Sequence, residues 1–165
     1  MCQLTLHPTE YKYRSSYEQI AKAIVQHCDT PKLALVNYMQ LLLFCFVTGN
    51  NDMHLKNFSL YSIREGHYVL CPTYDQVSTK IVMPEDTEEV ALSLNGFKKS
   101  LLVYDFREAM FSTGLSEVVA NRILSGFAKF RDKWMVCIDN SFIPDNQKEQ
   151  YKKLIDHRLE TLAKE

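Results

Sequence analysis

A mainly α-helical bundle carrying one small β-hairpin is the fold class that the sequence predicts, and three observations lead there. Apolar residues between positions 31 and 48 point in every direction around a helix, which marks a central buried element. Two segments in the C-terminal third carry apolar stripes at helical spacing. One stretch alone alternates as a strand does, at 58–63. After the turn residues Arg64, Glu65 and Gly66 a short run returns, His67-Tyr68-Val69-Leu70. At 165 residues the chain can bury a real core, and residues 1–165 read as one domain.

Each element has its own signal. Ser16-x-x-Gln19 is a capping box that opens a helix through about Cys28, with Ile20, Ala23, Ile24 and His27 on its inner face. Asp29-Thr30-Pro31 starts the second helix, with proline in the first turn where its missing N–H costs nothing. That helix runs to about Thr48 and carries Leu35, Val36, Met39, Leu42, Leu43, Phe46 and Val47 on several sides. Gly49 closes it. Residues 79–98 read as irregular, and the acidic run at 85–89 reads as a solvated loop, or as an activation-loop-like segment beside a substrate. A short helix is expected at about 105–113, closed by Gly114. Ser116 opens a long one striped by Val119, Ile123, Phe127, Phe130, Trp134 and Ile138, which should be core. Pro144 starts the last, with Tyr151, Leu154, Ile155, Leu159 and Leu162 inward.

Composition narrows the classes. Hydrophobic residues make up 46% and charged residues 24%, ordinary for a globular chain. A net charge of −1 gives no general attraction to nucleic acid or to an anionic membrane. The apolar run at 41–47 is too short to span a bilayer. The five cysteines, Cys2, Cys28, Cys45, Cys71 and Cys137, are scattered without metal spacing and read as reduced thiols. No leader pattern is visible, so a cytoplasmic location is expected.

The chemistry is concentrated just after the buried helix, in Gly49-Asn50-Asn51-Asp52-Met53-His54-Leu55-Lys56-Asn57. A second acid follows in Cys71-Pro72-Thr73-Tyr74-Asp75-Gln76. Charges placed beside a core need a task, because burying them unpaired is costly. Phosphoryl transfer uses this set: a carboxylate to orient a hydroxyl, a lysine against phosphate, and hard oxygen ligands for Mg²⁺. Asp52-x-x-x-x-Asn57 has the catalytic-loop spacing of protein kinases. Taken alone, that spacing is common and Gly-Asn-Asn-Asp is a usual turn after a helix end. The second motif, in the right order, favours the catalytic reading.

The same residues resemble the C-terminal lobe of HipA-type serine/threonine kinases, the kinase toxins of bacterial toxin–antitoxin modules. The likeness rests on Gly49, Asn50, Asp52, His54, Lys56, Asn57, Phe58 and Ser59, and on Pro72, Tyr74 and Asp75. Ala91-Leu92-Ser93-Leu94-Asn95-Gly96 and Lys12-Tyr13 add weaker matches. The resemblance implies a kinase C-lobe-like bundle with the hairpin beside the catalytic loop. It implies Asp52 as catalytic base with Lys56 at the transferred phosphate, His54 and Lys56 near the nucleotide, and Asn57 and Asp75 as Mg²⁺ ligands. It also implies ATP, a translation-related protein substrate and an antitoxin partner.

A kinase needs a second, smaller lobe with a glycine-rich loop over the phosphates. With 5 Gly, the chain has neither Gly-x-Gly-x-x-Gly nor Gly-x-x-x-x-Gly-Lys-Ser/Thr. The nucleotide-binding lobe is therefore expected from a longer parent protein or a separate chain. Two other readings stand beside the kinase: a non-catalytic module that docks to a kinase lobe or antitoxin, and a phosphotransferase for small molecules.

Overall fold

A computed structural model describes residues 1–164. Seven helices and one hairpin follow in chain order among those residues: α1 Tyr17–His27, α2 Pro31–Thr48, β1 Leu60–Arg64, β2 His67–Leu70, α3 Thr79–Val82, α4 Val103–Ser112, α5 Glu117–Phe127, α6 Arg131–Asp139 and α7 Asp145–Ala163. Single 3₁₀ turns lie at Thr9–Tyr11, Leu55–Asn57 and Ala128–Phe130.

The pillar of the bundle is α2. Pro31 occupies its first turn, and eleven of its side chains are buried on several sides. It packs against α1, α5 and α7. Its full 18 residues are long and apolar enough to cross a membrane, but most of that length is covered by the rest of the protein, as a core helix requires. Ser16 caps α1 by accepting the Gln19 N–H at 3.3 Å, while the Gln19 side chain turns aside to Ser15, so only half of the expected capping box forms. Tyr17 and Tyr38 are fully buried, and both hydroxyls find partners: Tyr38 donates to the Tyr17 carbonyl at 2.9 Å and Tyr17 to the Met53 carbonyl at 3.2 Å. Burial pushes both phenols above their ordinary value.

The hairpin pairs Leu60 with Leu70 and Tyr61 with Val69, with an irregularity between Ser62 and Arg64. It starts two residues later than the alternation suggests. Phe58 is 2% exposed and stands edge-on to Tyr17 and Tyr38, so it belongs to the core and not to the ribbon. The long helix expected from Ser116 is broken. Its first part ends at Phe127, one 3₁₀ turn intervenes, and α6 sets off from Arg131. Gly126 weakens the helix there. The bend lets Phe127 and Phe130 meet Trp134, at ring separations of 5.9 and 6.1 Å. Trp134 is consequently half-buried at an edge, and not core as its stripe suggested.

The acidic run is not simply solvated either. Glu89 reaches inward to Arg158 of α7, whose Nη1 lies 2.6 Å from Oε1. Arg158 is 4% exposed and its guanidinium sits 4.4 Å above the Phe46 ring. Glu89 Oε2 also accepts the Leu101 N–H at 2.8 Å. Asp105 is buried at the start of α4, where it accepts from the Leu102 N–H and from Asn95 Nδ2. These contacts fix the 85–101 stretch against the bundle although it has almost no regular structure.

Candidate active site

The candidate loop hangs from the end of α2. Gly49 donates to the Phe46 carbonyl at 3.2 Å and Asn50 to the Cys45 carbonyl at 2.8 Å, the two bonds of a Schellman closure. Gly49 has φ +69°, and a Cβ there would lie 2.7 Å from Leu154 Cδ2 and 2.9 Å from Lys80 Cβ. Conformation and space both demand glycine at this point.

Beyond Gly49 the chain folds on its own polar groups. The Asp52 N–H donates to Asn50 Oδ1 at 3.2 Å, and the His54 N–H to the Asp52 carbonyl at 2.8 Å. The Asn57 N–H donates to the His54 carbonyl at 3.0 Å, and Asn57 Nδ2 returns to the Asp52 carbonyl, also at 3.0 Å. Met53 and Leu55 point into the core with no exposure at all and anchor the loop from beneath. Asn51 ties it sideways: its N–H donates to Thr79 Oγ1 at 2.8 Å and its Nδ2 to the Glu88 carbonyl at 2.6 Å. What remains facing outward is the half-buried Asp52 carboxylate and the exposed Lys56 side chain.

The segment carrying Asp75 is fastened to this loop at several points. Tyr74 donates its hydroxyl to the Lys56 carbonyl at 2.9 Å, and Ser59 Oγ lies 3.1 Å from the same hydroxyl oxygen, to which it can donate. Asn50 Nδ2 reaches the Asp75 carbonyl at 3.5 Å. Gln76 Nε2 approaches Met53 Sδ, and Gln76 Oε1 accepts from the buried Cys45 thiol at 3.4 Å. Asp75 itself is exposed and has φ +56°, the left-handed region that few side chains other than Asp and Asn adopt. Such backbone strain gathers where surrounding contacts over-determine it.

His54 lies lower than its motif position suggests. It is 5% exposed, its Nδ1 has no hydrogen-bond partner, and it makes no side-chain bond to Asp75 among the described residues. Burial and the nearby Lys12 charge hold its imidazole below the usual value, against the opposing pull of Asp52 and Asp75. It is a neutral wedge under the loop. Its ring meets Tyr13 edge-on at 4.9 Å.

Tyr13 is the residue that reasoning from the loop's own chemistry does not reach. Its hydroxyl donates to Asp52 Oδ1 at 2.5 Å, across 39 residues of chain. Partial burial and the Asp52 carboxylate push its phenol up to about 12. Only the weak Lys12-Tyr13 match pointed to this segment, because no local pattern says which distant side chain will meet a carboxylate.

Among the described residues no three His, Cys, Asp or Glu converge as a metal cage. Mg²⁺ does not ask for one, since it keeps several waters and takes one or two protein oxygens plus phosphate. Asn57 meets that demand: with Nδ2 committed to the Asp52 carbonyl, its Oδ1 has no donor among the described residues. The Asp75 carboxylate likewise has no hydrogen-bonding or ionic partner among the described residues.

Comparison with known proteins places the chain in a family. The sequence profile of the HipA-like C-terminal domain matches residues 1–134. A Haemophilus influenzae protein named "Putative kinase" is 28% identical over 145 residues, which is 78% of this chain and 42% of that protein. "Putative kinase Y4dM" of Sinorhizobium fredii is 33% identical over 91 residues, 54% of this chain and 22% of its own length. Among solved structures, Shewanella oneidensis HipA, in a complex with HipB and its operator DNA, matches with a TM-score of 0.74 at 20% identity. That match covers 96% of this chain and 42% of the other, and it shows a shared fold. The chain thus spans about two fifths of the length of the Haemophilus and Shewanella proteins. With the profile covering most of the sequence, the chain belongs to the HipA-like C-terminal domain family.

Proposed function

We propose that the chain is the catalytic lobe of a HipA-like serine/threonine protein kinase, which transfers the γ-phosphate of ATP to a protein hydroxyl with Mg²⁺. One observation carries the reading. A single rigid loop holds Asp52, Lys56 and Asn57 at the end of α2, and the segment bearing Asp75 is tied to that loop by Asn50 and Tyr74.

In this reading Asp52 accepts the proton of the acceptor hydroxyl. The hydroxyl oxygen forms its bond to the γ-phosphorus as the bond to the β–γ bridging oxygen breaks, and ADP leaves with that electron pair. Lys56, exposed and without a carboxylate partner among the described residues, sets its point charge against the γ-phosphate. Asn57 Oδ1 and the Asp75 carboxylate hold Mg²⁺, which when bound neutralises phosphate charge. His54, closed off beneath the loop, supports it from below, so the nucleotide contact expected of His54 falls to Lys56.

The missing glycine-rich lobe comes from a longer parent or from a second chain, in keeping with relatives more than twice as long. An antitoxin partner and a translation-related target are proposed with the family, and a toxin–antitoxin setting is supported by the HipB complex of the Shewanella neighbour. A docking role is the second reading. It is favoured by an open apolar groove of about 510 Å³ lined by Leu41, Phe44, Phe127, Phe130 and Trp134.

Calorimetric titration with ATP, with and without Mg²⁺, tests the site, run beside Asp75→Ala and with a small-lobe chain added. Mg²⁺-dependent binding that the variant loses supports the kinase. Transfer of labelled phosphate to a protein should disappear in Asp52→Asn. Absence of nucleotide binding even with the small lobe present leaves the docking module, and transfer to small molecules alone would mean a metabolite kinase.

A further inference from the structure

The contact between Tyr13 and Asp52 has a consequence for how the carboxylate works. Asp52 has two oxygens. Oδ1 accepts the Tyr13 hydroxyl at 2.5 Å, at the short end of charge-assisted O–H···O⁻ bonds. Oδ2 has no hydrogen-bond donor among the described residues and is not sealed from solvent. The Asp52 backbone is already fixed, since its N–H is held by Asn50 and its carbonyl by His54 and Asn57. Among the described residues the carboxylate has no other hydrogen-bonding or ionic tie. Tyr13 therefore supplies the hydrogen bond that orients the carboxylate.

Tyr13 is well placed to supply that restraint because it is itself held. Its ring stands edge-on to buried His54 at 4.9 Å, the Lys12 ammonium lies 4.9 Å from its centroid, and the Lys12 carbonyl accepts the Leu55 N–H at 3.2 Å. The segment before α1 is thus stitched to the loop by backbone as well as by side chain.

We propose that Tyr13 is a positioning residue for phosphotransfer. Its hydroxyl clamps Oδ1 of Asp52 and leaves Oδ2 alone to receive the acceptor hydroxyl. The role rests on the kinase reading above. It also accounts for His54, which serves as the wall that sets the Tyr13 ring. A clamp of this kind acts on geometry during reaction and not on nucleotide binding, so its loss belongs in kcat and not in KM.

The test is Tyr13→Phe, which removes one hydroxyl and keeps the ring, compared with wild type, Asp52→Asn and the double variant. Transfer from γ-labelled ATP to casein is followed in the chain joined by its small lobe, and unfolding is followed in the chain itself. The expected result is a kcat lowered about 10- to 100-fold with KM for ATP unchanged. The melting-temperature losses should be non-additive in the double variant, because both single changes act on one bond, the first removing its donor and the second the charge of its acceptor. Wild-type kcat in Tyr13→Phe overturns the proposal. A faster variant also overturns it, since the hydroxyl would then be competing with the acceptor. Label found on Tyr13 overturns it too, because the residue would be a phosphate acceptor. If Asp52→Asn transfers normally, the kinase reading fails on its own terms. Additive melting losses then show separately that the clamp is absent.

Discussion

Replacing Glu89 by alanine isolates one buried charge. Arg158 has a side chain only 5% exposed, and Glu89, at 20%, is the one carboxylate paired with it among the described residues. Burial pulls the guanidinium below its usual value while Glu89 pulls it back up. Among the described residues its Nε has no acceptor, and Nη1 lies 2.6 Å from Glu89 Oε1 as a close ion pair. Removing the carboxylate leaves a cation over Phe46 with nothing to offset its lost hydration. Breaking a buried pair in this way costs about 3–5 kcal/mol. In a chain of this size roughly 2–4 °C accompanies each kcal/mol, so the melting temperature should fall by roughly 6–20 °C. The Leu101 N–H also loses its acceptor, which loosens the 85–101 stretch beside Asn51. Thermal and urea unfolding at low salt and at 1 M salt measure this. The loss should persist in high salt, because a buried pair is little screened. Glu89→Leu combined with Arg158→Met should recover most of it. A loss below about 1 kcal/mol, or one that fades in salt, would refute the reasoning and place the pair in effective contact with water.

Gly49→Ala should cost about 2–5 kcal/mol, from left-handed strain plus the collision with Leu154 and Lys80, and an unchanged urea midpoint would contradict the tight closure. Thiol labelling at pH 8 should modify exposed Cys137 first and Cys45 last, since burial pushes the Cys45 thiol up to about 12. The unfolded thiol ionises from about pH 9 and the folded one does not, so Cys45 adds stability below pH 9 that is lost as pH rises toward 12; Cys45→Ala should flatten that alkaline decline. Trp134→Ala should cost about 1–3 kcal/mol, less than a fully buried tryptophan, because the ring borders an open groove; a loss above 4 kcal/mol would mean the groove is closed in solution.

Much of the architecture was legible because it is written in short-range signals. Pro31 and Gly49 bracket α2, and the apolar residues between them require burial whatever surrounds them. The loop's chemistry was legible for the same reason: Asp52, Lys56 and Asn57 lie within six residues, and Tyr74-Asp75 sits just past a hairpin. A helical stripe misleads where it runs through a weak point. Val119, Ile123, Phe127, Phe130 and Trp134 keep helical spacing, yet Gly126 lets the chain turn, and an aromatic cluster forms at the bend.

By itself the sequence determined the helical class, the hairpin, the position of the candidate loop and the identity of its polar groups, since each depends on residues a few positions apart. Tertiary structure alone decided that Tyr13 meets Asp52, that His54 is sealed beneath the loop, and that Glu89 leaves an acidic run to pair with Arg158. Those contacts join residues 39, 41 and 69 positions apart. Which side chains meet over such distances is set by the packing of whole helices, and no local pattern encodes it.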